Sequence, residues 1–420
     1  MAELNWAGNV VYTADRVQRP ASVEELAEIV AAAPRIRVLG SRHSFNTIAD
    51  CEELVSLRGL PADLHIDRAA GNVSCAAGVT YGELAPVLAA EGLALANLGS
   101  LPHISVGGSV ATATHGSGDR LGNLATSVAG LELVTSTGRS IAARRGDADF
   151  DGMVVGLGAL GAVTRLTLDV EPFYEVSQVV YEGLSWESLE ANFDKLTAAG
   201  DSVSVFTRWE EVAGQLWVKR RVSEGQEPAP TELFGARAAT TQLHPIRGGD
   251  PAACTGQLGM PGPWYDRLPH FRLQFEPSAG EELQSEYLLA RADAGGAIAT
   301  LRQLAPRIRP LLHIGEIRTV AADGLWLSPQ YGRDTVAIHF TWLREQRRVE
   351  ALAVEIDAAL APFAPRPHWG KLFLARADTL APRYERLADF ARLREQLDPR
   401  GAFCNEWLAQ RVLGSATGSS

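Results

Sequence analysis

Three stretches of the chain gather side chains able to do chemistry. Residues 40–46 read Gly-Ser-Arg-His-Ser-Phe-Asn. Small residues there let the backbone approach a ligand closely, and the imidazole of His43 could bond it covalently, hydrogen-bond it or ligate a metal. A histidine that merely caps the turn is the equal alternative. The second stretch, Asn97 to Gly118, is dominated by small and hydroxyl residues. Successive unhindered backbone N–H groups could form an anion nest there, with Ser105, Ser109, Thr112 and Thr114 as hydroxyl donors, which suits a pyrophosphate. It is not a P-loop, since no Gly-Lys-Ser/Thr closes it, nor the G-x-G-x-x-G fingerprint.

The third set lies downstream. Glu316 and Arg318 stand two apart in Leu-Leu-His-Ile-Gly-Glu-Ile-Arg-Thr-Val, so a strand aims both at one face. His339 and Thr341 repeat that spacing, with Val336, Ile338, Phe340 and Trp342 on the opposite, apolar face. Two neighbouring strands of this kind would present a polar wall of acid, guanidinium, imidazole and hydroxyl. Lys371, in His-Trp-Gly-Lys, adds a cation in a short turn. Taken singly, each pair could equally lie on a solvated strand face, where an ion pair stabilises little.

The elements around these residues follow from local signals. Ser22 with Glu25 reads as a capping box, the stripe Val23, Leu26, Ile29 and Val30 as a helix, and Pro34 as its stop. Arg35–Leu39 then forms a short strand, which puts His43 in the turn after it. Strands are expected at 55–57, 73–77, 129–135 and 162–170, with a second capping box at Thr80 and Glu83 opening a helix that runs to Gly92. Beyond Glu171-Pro172 longer helices (298–304, 349–360) mix with aromatic-rich strands, and the Pro/Gly-rich stretch 223–263 reads as a long excursion. Strands and helices are segregated rather than alternating, which favours an α+β class.

Length and composition narrow the function. A chain of 420 residues exceeds one simple core, and 46% hydrophobic with 21% charged residues is the mix of a globular protein. Only the small, polar tail 415–420 is expected to be disordered. The net charge of -11 disfavours nucleic acid and anionic lipid as partners. Four cysteines far apart (Cys51, Cys75, Cys254, Cys404) suggest neither a metal site nor a disulfide framework. Residues 1–10 lack a secretory signal, and no uninterrupted apolar run of about 18 residues exists to span a membrane. The cytoplasm is the default location, with no membrane partner.

Together these motifs resemble the vanillyl-alcohol-oxidase-like superfamily of PCMH-type FAD-binding proteins, and within it the aldonolactone oxidase branch and its bacterial alditol (xylitol) oxidases. The resemblance runs from Asn-Trp-Ala-Gly-Asn at Asn5 to Asp-Pro-Arg-Gly-Ala-Phe-Cys-Asn at Asp398. It is carried by the three stretches above together with Cys-Thr-Gly-Gln-Leu-Gly-Met at 254–260, Glu-Leu-Gln-Ser-Glu-Tyr at 282–287 and Arg-Pro-His-Trp-Gly-Lys at 366–371. It implies a two-subdomain FAD-binding domain over 1–172, an α+β substrate-binding cap over 173–365 and a segment, 366–414, that returns to the FAD domain.

The resemblance also implies roles. His43 would carry the FAD covalently. Val38, Leu39, Gly40, Ser41, Arg42, Ser44, Ser100, Ser105, Gly108, Thr112, Ala113, Thr114, His115 and Val163 would bind it, with His368 near its ring. Family members often have glycine where this chain has Arg42. Glu316, Arg318 and Lys371 would be catalytic, and together with Ser100, Thr341, Gln284 and His339 would hold a polyol. Gly99 would give oxygen access to the flavin. The implied reaction is oxidation of the terminal hydroxyl of an alditol such as xylitol or sorbitol to the aldose, with oxygen reduced to hydrogen peroxide, by a monomer. A sugar-1,4-lactone oxidase, a dehydrogenase that does not use oxygen and a non-catalytic flavin-binding protein are the rivals.

Overall fold

The computed structural model describes residues 3–225, 227–275 and 281–414; the tail expected to be disordered, 415–420, lies outside them. Two sheets organise the chain. Its amino-terminal part contains short strands β1 (Val17–Gln18), β2 (Arg37–Val38) and β3 (Leu54–Val55), joined in parallel in the order β1-β3-β2. A five-stranded antiparallel sheet follows, built from β4 (Leu64–Asp67), β5 (Asn72–Ala76), β6 (Val128–Val134), β7 (Ser140–Arg144) and β8 (Ala162–Asp169), in the order β4-β5-β8-β6-β7. Strict alternation in β8 buries Ala162, Thr164, Leu166 and Leu168 on one face, as period-two patterning requires.

Helices α1 (Val23–Ala32) and α2 (Tyr81–Ala90) cover this part. The Thr80/Glu83 capping box forms in both directions. At α1 it forms only by half. Ser22 accepts from the Glu25 N–H, but the Glu25 carboxylate accepts from Ala21 N rather than from Ser22. The strand expected at 55–57 ends at Val55, and residues 57–59 wind into a 3-10 turn capped by the Ser56 side chain.

The second sheet is larger. Its core comprises β9 (Glu175–Leu184), β10 (Ser202–Thr207), β11 (Gly214–Arg221), β12 (Glu282–Ala290), β13 (Leu312–Val320) and β14 (Thr335–Leu343), in the order β9-β11-β10-β13-β14-β12. Ile317, Ile338, Phe340 and Trp342 face an apolar core shared with the helices at Trp186–Thr197, Ala294–Gln303 and Gln346–Leu360. The excursion at 223–263 is not wholly irregular, since short strands at 232–233, 236–238 and 262–263 add to this sheet. Two later segments cross back: Leu325–Leu327 and the aromatic run Trp369, Phe373, Tyr384, Phe390, Phe403 and Trp407 pack in the first core.

A single buried guanidinium knots the amino-terminal part to that returning segment. Arg37 donates to the carbonyls of Ile48, Leu157, Gly158 and Phe403 at 2.6–2.8 Å, and burial pulls it down to about 10. An Arg37→Met variant would leave the carbonyls of Leu157, Gly158 and Phe403 without this donor, at about 1–3 kcal/mol for each one that water cannot reach, while the Ile48 carbonyl keeps Asn405 Nδ2 at 3.1 Å. Its urea midpoint should fall by an amount equivalent to about 3 kcal/mol or more; a change under about 1 kcal/mol would contradict this assignment.

Candidate active site

A cavity of about 680 Å³ is lined by both sheets. Of the residues singled out from the sequence, all line it except Ala113 and Gly99. Ala113 is fully buried at φ 51° and shapes the backbone rather than facing the cavity. Gly99 sits one layer back, against Ile104, Thr114 and the His115 carbonyl.

The His43 loop is clamped from two sides. On one, Trp6 N donates to the Arg42 carbonyl (2.8 Å), the Asn5 amide donates to the Ser44 carbonyl (2.9 Å), and the Trp6 ring stacks on the imidazole at 5.6 Å. On the other, Phe45 N donates to the Gly370 carbonyl (2.8 Å), and the Asn46 amide donates to the carbonyls of Trp369 (2.9 Å) and Lys371 (2.7 Å). Arg42 is held at φ 64°, the left-handed region that favours glycine, and its guanidinium pairs with Glu3. Burial pulls His43 down to about 4, so the ring is neutral, and its buried Nδ1 has no hydrogen-bond partner. A neutral imidazole nitrogen left without a partner inside a large cavity fits a group attached or docked there.

Three N–H groups at the centre of the glycine-rich stretch are used within the fold. Ser105 N donates to Ser41 Oγ (3.0 Å), Val106 N to the Val79 carbonyl and Gly107 N to the Ala77 carbonyl. The hydroxyls of Ser109 and Thr112 are spent on the Val106 and Gly108 carbonyls. Smallness also permits close approach. A Cβ on Gly40 or on Gly108 would stand 2.8 Å from Ser105 Oγ, and one on Gly107 2.9 Å from Ala77. Ser105 Oγ is buried and unpartnered, a hydroxyl left for a ligand in a cradle that larger side chains would fill.

The polar wall forms as the spacing implied, and it is buried rather than solvated. Cross-strand register places Glu286, His339, Glu316 and Phe206 side by side across β12, β14, β13 and β10, with Gln284 opposite Thr341 and Ser204 opposite Arg318. Sequence reasoning passed over Glu286, which is 2% exposed and lies at the centre. Its carboxylate accepts from Arg318 Nη2 (2.6 Å) and Lys371 Nζ (2.7 Å), with His115 Nε2 3.5 Å away. The signal was present: Gln284 and Glu286 are two apart on a strand, the spacing that had singled out Glu316 with Arg318.

Charges here sustain one another. Burial would raise the Glu286 carboxyl, but Lys371 and Arg318 outweigh it and hold it well below the usual carboxylate range. Glu316 is likewise held low by Arg318 and His270 against its burial. Lys371 is pulled down by burial, which Glu286 opposes. His339 and His368 are kept neutral first by burial and then by Lys371. Lys371 Nζ donates to His339 Nδ1 (2.8 Å), so the His339 proton sits on Nε2 and is offered to Thr341 Oγ1 (3.0 Å). Arg318 Nη1 reaches Ser100 Oγ (3.3 Å), while Arg318 Nε is buried without a hydrogen-bond partner, 3.6 Å from Glu316. Gln284 instead turns its amide to Glu282.

Residues 14–144 match the family described as FAD binding domain, and residues 283–411 match D-arabinono-1,4-lactone oxidase. Alditol oxidase from Streptomyces sp. (strain IKD472 / FERM P-14339) is 49% identical over 98% of this chain and 99% of its own. L-gulono-1,4-lactone dehydrogenase from Mycobacterium tuberculosis is 30% identical, covering 98% of each chain. Among solved structures, a variant of cholesterol oxidase from Brevibacterium sterolicum superposes with a TM-score of 0.80 at 15% identity, over 98% of this chain and 96% of that one, a likeness of fold.

The ion cluster makes a prediction for stability. Glu286→Gln would leave two buried cations facing a neutral amide and should destabilise by about 3–5 kcal/mol in urea unfolding at neutral pH. Because the folded carboxyl is held low, its contribution is present above the unfolded value of about 4.3 and is lost as pH falls below it. The gap between wild type and variant should therefore narrow on acidification below about pH 4. A gap that is the same at both pH values would contradict the charge assignment.

Proposed function

Because the chain belongs to the alditol and aldonolactone oxidase family of FAD-binding oxidoreductases, we propose that it oxidises the terminal hydroxyl of alditols such as xylitol and sorbitol to the aldose, with oxygen reduced to hydrogen peroxide. Its FAD is held covalently through His43, in a FAD domain over 1–172 completed by 366–414 and covered by a cap over 173–365. Bound FAD supplies the two-electron acceptor that takes hydride from the alcohol carbon and passes electrons to oxygen. The carrying observation is the buried wall of Glu286, Glu316, Arg318, Lys371, His339 and Thr341, which lines the same cavity as His43.

A polyol offers a hydroxyl on every carbon, so a wall of paired donors and acceptors selects it by what each partner satisfies. Arg318 and Lys371 stand where they stabilise negative charge developing on the reacting oxygen. Lys371 Nζ has two acceptors, Glu286 and His339. In the resting cluster it is an ammonium with one N–H left for the reacting oxygen; loss of that proton, which burial and Arg318 favour and Glu286 opposes, frees the lone pair that takes the hydroxyl proton. Ser100, Glu316 and Thr341, with Gln284 and His339 beside them, bind the remaining hydroxyls. His115 would help hold the cofactor, and His368 would lie near its ring. The lactone reading is less favoured, since relatives acting on lactones match at 30% identity or below. An acidic chain suits a small neutral substrate, and we take the enzyme to be a cytoplasmic monomer.

Four variants test this reading. His43→Ala should lose the yellow colour that acid-precipitated wild type keeps. Arg318→Ala and Lys371→Ala should retain FAD yet slow polyol-driven bleaching under argon by about 100-fold or more; near-normal bleaching would remove those roles. An added methyl at Gly99 meets its neighbours at 3.6–3.9 Å, ordinary contact, so Gly99→Ala should fold normally. It should slow recolouring in oxygen by about tenfold while leaving bleaching intact; unchanged recolouring would contradict the oxygen path.

A further inference from the structure

Behind the wall lies a buried amine that the reaction does not use. Lys219, on β11, is 1% exposed and does not line the cavity. Its Nζ meets three acceptors: the carbonyls of Leu268 and Pro269 (3.3 Å for the latter) and Nδ1 of His270 (3.2 Å). Three acceptors match the three protons of an ammonium, whereas Lys371 has only two. With Nδ1 accepting, the His270 ring, kept neutral by its burial, carries its proton on Nε2. That nitrogen stands 2.9 Å from Glu316 Oε1. Phe206 and Trp217 hold the ring edge-on at 5.1 and 5.5 Å, and Ser204 Oγ, at 3.5 Å, is too distant to compete.

We propose that Lys219 and His270 are positioning residues of the polyol site, a donor chain that pins one oxygen of Glu316 and leaves the other to Arg318 and the substrate. This rests on the polyol reading of the cavity. The arrangement repeats what Lys371 does to Thr341 through His339, with the same nitrogen accepting and the same nitrogen donating. It also ties in Ser100, whose carbonyl accepts from the backbone N–H groups of His270 and Phe271 at 3.2 and 3.3 Å. Burial pulls the Lys219 ammonium down to about 7, with Glu316 and Cys254 raising it and Arg318 lowering it. Above that pH two protons serve three acceptors and the hold on His270 Nδ1 loosens.

The test compares FAD-loaded wild type with His270→Leu, His270→Gln and Lys219→Met, each checked for FAD content and thermal unfolding. His270→Leu removes the donor and should raise the xylitol KM about tenfold with a smaller change in kcat. The glutamine amide can donate to Glu316 while its oxygen accepts from Lys219, so His270→Gln should stay within about threefold of wild type. Wild-type KM should climb as pH rises through about 7, and Lys219→Met should start high and lose that climb. An unchanged KM in His270→Leu, or His270→Gln behaving like His270→Leu, overturns the proposal. A second measurement needs neither a folded variant nor a reacting polyol. In 15N-histidine-labelled wild type, His270 should appear as the Nε2–H tautomer, and an Nδ1–H or doubly protonated ring overturns the relay. If that tautomer is found but no polyol is oxidised, the functional reading fails and the relay stands.

Discussion

Two carboxylates and two cations, Glu286 and Glu316 with Arg318 and Lys371, are buried against one another, and the surrounding structure has to keep them so. Each ion taken from water carries a penalty of several kcal/mol, which only close and well-hydrogen-bonded partners offset. Three of the four stand on β12 and β13, the strands on either side of β14, and the fourth in the turn at 368–371. A shift of one residue in the pairing of β12, β13 or β14 would turn its charges into the apolar core on the other face. Register is therefore fixed twice, by the apolar residues that must go in and by the charges that must meet.

The same constraint reaches the His43 loop. Asn46 donates to the carbonyls on either side of Gly370, so the loop bearing His43 and the turn bearing Lys371 move as one piece. His368 N and Leu372 N donate to the carbonyls of Glu286 and Gln284, which ties that turn to β12 as well. On the far side, Asp119 bridges the parts through Arg291, Thr197 and Thr319. A cavity shared by two sheets keeps its shape because its polar walls are joined outside it by hydrogen bonds.

Much of this was legible in the sequence where period and chemistry coincided. Polar residues two apart, backed by Val336, Ile338, Phe340 and Trp342, declared a two-faced strand, and the Thr80 to Glu83 pair declared the start of α2. The family resemblance supplied the cofactor and the roles of side chains, which no spacing could. Other features were hidden because they depend on partners distant in the chain. His270 sits in a turn with no periodic signal, and Lys219 follows Val218 on a strand whose face is decided by its neighbours. Arg37 reads as one more residue of a short strand until Leu157, Gly158 and Phe403 surround it. The glycine-rich stretch does more than the sequence suggested. The N–H groups of Ser105, Val106 and Gly107 bond to Ser41, Val79 and Ala77, and its glycines also permit close approach.

The most direct measurement is a crystal structure of the FAD-loaded protein with xylitol bound. The account predicts continuous density from His43 to the cofactor, and one terminal hydroxyl within hydrogen-bond reach of both Arg318 and Lys371. A polyol bound away from those two cations, or FAD seated with its ring turned from the wall of Glu286 and Glu316, would contradict it.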